Sequence, residues 1–65
     1  MTNLEKIQNW VESREDIIEY FEPAQIEGNL YLIDLMFVEG SPYRSGAYDV
    51  TINDDDTITF LDHLR

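Results

Sequence analysis

The run Leu30-Tyr31-Leu32-Ile33-Asp34-Leu35-Met36-Phe37-Val38 is the strongest strand signal in the chain, and it restricts everything around it. Side chains alternate between the two faces of a strand, so one face carries Tyr31, Ile33, Leu35 and Phe37. The other carries Leu30, Leu32, Asp34, Met36 and Val38. Both faces are therefore largely apolar. A chain of 65 residues forms one domain, and its one long helical pattern can cover only one face of a small sheet. The uncovered face should then be polar, as the Asp49/Thr51 and Thr57/Thr59 sets are. Two readings follow for the apolar second face of this strand. Either a loop or the Gln25-Ile26 segment folds over it, or Leu32, Met36 and Val38 form an interface with a second copy or another protein.

The rest of the chain supplies the partners of this strand. Thr2-Asn3-Leu4-Glu5 is a capping box, and the apolar residues Leu4, Ile7, Val11, Ile18 and Phe21 fall on one arc at helical spacing. A helix over about residues 3–21, ended by Pro23, is the reading this pattern favours. Arg14 interrupts it, because it lands inside the apolar arc. The alternatives are a break near Ser13 followed by a short second helix, or a strand across Ile17–Glu22. Gly28-Asn29 marks a turn. Ala47–Ile52 and Thr57–Leu61 alternate as strands around the turn residues Asn53-Asp54-Asp55-Asp56. The predicted fold is α+β, an N-terminal helix packed on a three-stranded antiparallel meander in two layers.

Charge narrows the function classes. Fourteen acidic residues against four basic ones give a net charge of −10. Binding to nucleic acid phosphates requires Lys and Arg, so direct nucleic acid binding is disfavoured. The apolar content of 43% sets the chain apart from a disordered acidic tail. No run reaches the roughly 18 apolar residues of a membrane span, and the first residues lack the basic start of a signal peptide. With no cysteine as well, the chain reads as cytoplasmic.

Catalytic equipment is sparse. His63 is the single imidazole and sits close to the C-terminus, so a Ser/His/Asp site is disfavoured. Asn53-Asp54-Asp55-Asp56 begins like a calcium loop, but the sixth position is Ile58 and the twelfth Leu64, where Gly and an acid are required. The three glycines are dispersed and form no phosphate loop. No enzyme, cofactor or metal is expected.

What remains is the acidity. On the predicted helix Glu12, Glu15, Asp16, Glu19 and Glu22 lie on one side, and Asp54, Asp55 and Asp56 crowd a hairpin tip. A row of carboxylates three and four residues apart, about 5–6 Å between side chains against about 3.4 Å per phosphate step along one DNA strand, only approximates phosphate spacing but could occupy a basic groove. In class this resembles the small acidic inhibitors of phages and mobile elements that imitate DNA to block nucleic-acid-binding proteins. The resemblance implies an acidic inhibitor of a basic partner in the host cytoplasm. A homodimeric assembly protein and an immunity or antitoxin protein are the other readings.

Overall fold

The capping box forms as the sequence predicts. Thr2 Oγ1 accepts from the Glu5 N–H at 3.2 Å, and Glu5 Oε1 accepts from the Thr2 N–H at 3.0 Å. The Thr2 N–H and the Thr2 hydroxyl, both donating to Glu5 Oε1, hold the Glu5 carboxyl below the usual carboxylate range. The computed structural model describes residues 1–64. It contains one N-terminal helix, α1 (Asn3–Glu12), and an antiparallel sheet of five strands. The strands are β1 (Ile17–Tyr20), β2 (Ala24–Glu27), β3 (Leu30–Phe37), β4 (Gly46–Ile52) and β5 (Ile58–Asp62).

The helix is therefore shorter than the predicted span of 3–21. Ser13 N–H still reaches the Asn9 carbonyl at 3.0 Å, but Arg14 N–H turns to the Val11 carbonyl at 3.0 Å. Ser13 Oγ donates to the Trp10 carbonyl at 2.7 Å, which closes the last turn. Three physical causes agree. The last turn has no basic residue, and Glu12 sits at the negative end of the helix dipole. Ile17 and Ile18 are β-branched and favour extended backbone. Val38 N–H then bonds the Asp16 carbonyl at 2.9 Å, zipping this stretch onto the end of β3.

The predicted meander is present as β3, β4 and β5, and two further strands join it. β1 pairs with the C-terminal half of β3 (Ile17 opposite Phe37, Tyr20 opposite Leu35). β2 pairs with its N-terminal half (Ala24 opposite Leu32, Gln25 opposite Tyr31). Together they make one edge row, interrupted at the buried Pro23, with a register shift at Ile18 and another at Ile26. The Gly28-Asn29 turn joins this row to β3, with Gly28 at φ +52°. Pro23 thus divides an edge row and does not end a helix.

One face of the sheet receives α1. Ile7 and Val11, one helical turn apart, pack with Tyr31, Ile33, Leu35 and Phe37 of β3 and with Tyr48, Val50 and Ile52 of β4. Trp10, Ile17, Tyr20, Ile58 and Phe60 close the rim of this core. The alternation read from the sequence holds for all three meander strands: Tyr48, Val50 and Ile52 are buried, and Ile58 and Phe60 point the same way. No buried side-chain polar atom among the described residues lacks a partner.

Candidate protein-binding surface

The residue that disturbed the helical pattern has its own site. Arg14 leaves α1 and places its guanidinium 4.8 Å from the Phe60 ring centre, 5.5 Å from Trp10 and 5.7 Å from Tyr43. The rings pack on each other, Trp10 to Phe60 at 5.1 Å and Tyr43 to Phe60 at 5.0 Å. Arg14 Nε donates to Asp16 Oδ1 at 2.9 Å and Nη2 to Asp16 Oδ2 at 2.7 Å. This pair raises the Arg14 pKa and lowers that of Asp16. Arg14 is thus a structural clamp between helix, loop and β5.

The acidic arc expected on a long helix does not form, because Glu15, Asp16, Glu19 and Glu22 lie beyond α1. Glu12 ends the helix and accepts from Tyr20 Oη at 3.0 Å. Asp16 is engaged by Arg14, while Glu15 is exposed in the turn and Glu22 in the break between β1 and β2. Glu19 is carried to the sheet, opposite Met36. At the hairpin tip Asp54 is exposed, Asp55 accepts from the Thr57 hydroxyl at 2.6 Å, and Asp56 pairs with Lys6 at 2.7 Å. The Thr57 contacts hold the Asp55 carboxyl below its ordinary range. Among the described residues no three such groups converge as a metal site.

The second sheet face, opposite α1, is where the expected apolar set gathers. Leu32 is half-buried, Met36 is 43% exposed and Val38, just beyond the strand, 38%. The Gln25-Ile26 segment does not fold over them, since it lies in the sheet as part of β2. Strand register shows what surrounds them. Ala24, Leu32, Asp49 and Leu61 stand directly opposite one another across the sheet. Beside them run Asp34 and Ala47, with Phe21 N–H on the Asp34 carbonyl at 3.1 Å and His63 N–H on the Ala47 carbonyl at 3.0 Å. The next row is Glu27, Leu30, Thr51 and Thr59. Carboxylate side chains are therefore interspersed among apolar ones over the face, with Thr51 and Thr59 at one end.

Sequence reasoning placed Asp34 and Asp49 on this face but missed Phe21, Glu27 and Leu61 as members of the surface. The signal was the period-two parity of each strand combined with the pairing register, and the register is not visible in one sequence. Exposure of 57% at Phe21 and 45% at Leu61 marks both as surface apolar residues.

Cations are distributed differently. Lys6 pairs with Asp56, Arg14 with Asp16 and Arg44 with Asp62. Arg44 lowers the Asp62 carboxyl, and burial raises the Tyr48 phenol beside it. None of these three projects from the second face, where the one basic side chain among the described residues is His63, 2.8 Å from Asp49. Two open grooves lie elsewhere. One of about 530 Å3 is lined by Met1, Lys6, Asn9, Trp10 and the hairpin tip, and one of about 370 Å3 by Pro42, Tyr43, Arg44 and Asp62. Both are open to solvent, with volumes in the range of small-ligand sites. In each, a cation is paired with a carboxylate, Lys6 with Asp56 in the first and Arg44 with Asp62 in the second. Comparison with protein-family models, with curated proteins and with solved structures returned no match.

Proposed function

We propose that this chain is a non-catalytic protein-binding domain that presents carboxylates to a basic protein, as an inhibitor, immunity or antitoxin protein does. One observation carries the reading: each Lys and Arg among the described residues already holds a carboxylate, which leaves the remaining acids to solvent or a partner. A net charge of −10 on 7.7 kDa opposes folding by self-repulsion and is relieved when a positive surface docks. The acids are spread over the turn, the edge row and the hairpin tip, so the reading rests on complementary potential and not on a helical row that copies phosphate spacing. Nucleic-acid-binding proteins are the natural class of partner, because their grooves concentrate Lys and Arg.

The test is binding of a purified basic partner at two salt concentrations. Association should slow and Kd should rise as salt shortens the Debye length, about 8 Å at physiological ionic strength. A partner without a basic surface, or one whose binding ignores salt, would overturn the reading.

A homodimer through Leu32, Met36 and Val38 is the second reading, favoured by their common open face. Face-to-face stacking of two copies also brings Glu19, Glu27 and Asp34 of each against like charges. Such burial of unpaired carboxylates is costly. Sedimentation that shows only monomer at micromolar concentration leaves the dimer without support.

A further inference from the structure

We infer that the second sheet face is the docking surface itself, and that its occupant is a basic amphipathic helix of the partner. This inference rests on the carboxylate-display reading and adds where the partner sits and what it presents. Carboxylates are interspersed among apolar residues on this face. Leu32 and Leu61 flank Asp49 in one row, and Asp34 lies next to Ala47 in the adjoining row. Lys and Arg side chains have apolar stems and charged heads. Laid on this face, the stems pack on Leu32, Met36 and Leu61 while the heads reach Asp34, Asp49, Glu19 and Glu27.

Two further features select the occupant. Ala24 and Ala47, opposite Leu32 and Asp34, are the smallest side chains in these rows and obstruct an approaching element least. The sheet already accepts a helix on its other face through an i, i+4 apolar pair, Ile7 and Val11, and it offers the same width here. A second copy of this chain is the poorer occupant, because the face carries carboxylates and no Lys or Arg among the described residues.

The experiment uses a synthetic Leu/Lys amphipathic peptide of roughly 18 residues, long enough to hold a helix. A scrambled peptide of the same composition is the control for bulk charge. Each is titrated into isotopically labelled protein and followed by NMR. The amphipathic peptide should bind more tightly than the scrambled one and shift the Leu32, Met36 and Leu61 methyl signals together. Met36→Asp, at an exposed position that does not threaten folding, should weaken it about tenfold. Asp34→Asn should weaken it more than Asp54→Asn, which removes the same charge at the hairpin tip. If the peptides bind but the shifts map to residues 53–57 and Asp54→Asn matters most, this inference falls while the carboxylate-display reading stands. If neither peptide binds at low salt, both fall. A dimer in sedimentation that Met36→Asp dissociates overturns the inference in favour of a second copy.

Discussion

Arg14 and Asp16, two residues apart, form a two-bond ion pair at 2.9 and 2.7 Å, and the Arg14 guanidinium lies 4.8 Å from the Phe60 ring centre. The pair fastens the helix exit to the last strand, although neither residue belongs to a regular element. Arg14→Ala removes the two bonds and three ring contacts together and should destabilise the domain by about 2 kcal/mol in urea unfolding. Arg14→Lys keeps the charge but not the planar fork, and should recover less than half of that loss.

The same pair sets a pH dependence. The Asp16 carboxyl is lowered in the folded state, chiefly by the Arg14 hydrogen bonds. Its contribution is then complete above the ordinary aspartate pKa of the unfolded chain and fades as pH falls through the lower folded value. Asp16→Asn should therefore be less stable than the natural chain at neutral pH. The gap should narrow only below the usual aspartate range, as thermal melts at stepped pH would record.

Burial separates the two sheet faces energetically. Ile7, with 0% exposure, touches the centre of the core, and Ile7→Ala should cost about 2–5 kcal/mol. A domain of this length holds roughly 3–10 kcal/mol in total, so much of the population should unfold. Met36→Ala, on the open face, should stay within about 0.5 kcal/mol. Denaturant midpoints compare the two directly.

At the hairpin tip Asp56 adopts φ +67°, the left-handed region. Its N–H bonds the Asn53 carbonyl at 2.9 Å, so the conformation is fixed by the turn. Asp56→Gly and Asp56→Ala both lose the 2.7 Å contact to Lys6, but only alanine meets the Cβ clash. The glycine variant should be the more stable of the two by about 1 kcal/mol.

How much of this was legible in the sequence depended on how local the deciding contact is. The capping box at Thr2 and Glu5 involves neighbours in the chain and formed as expected. The alternation in β3, β4 and β5 is equally local, and it placed Tyr31, Ile33, Leu35, Tyr48 and Val50 in the core. Over Ser13 to Glu22 the favoured single helix failed, while the alternatives of a break near Ser13 and a strand from Ile17 formed. The apolar spacing there fits helix and strand equally, and Phe37 and Met36, distant in sequence, decided for the strand. Arg14 inside the apolar arc was the visible sign of that break. The acidic surface was misread for the same reason: once the helix stops at Glu12, Glu19 turns to the sheet and Asp16 to Arg14.

The divided edge row has a consequence for the protein in concentrated solution. Its strands are split at Pro23, which lacks an N–H, and bulged at Ile18 and Ile26. An incoming chain finds no continuous ladder of free donors and acceptors to extend. The opposite edge, β5, is only five residues long and ends in Asp62. Both borders are therefore poor templates for strand addition, and association through the sheet edges is disfavoured.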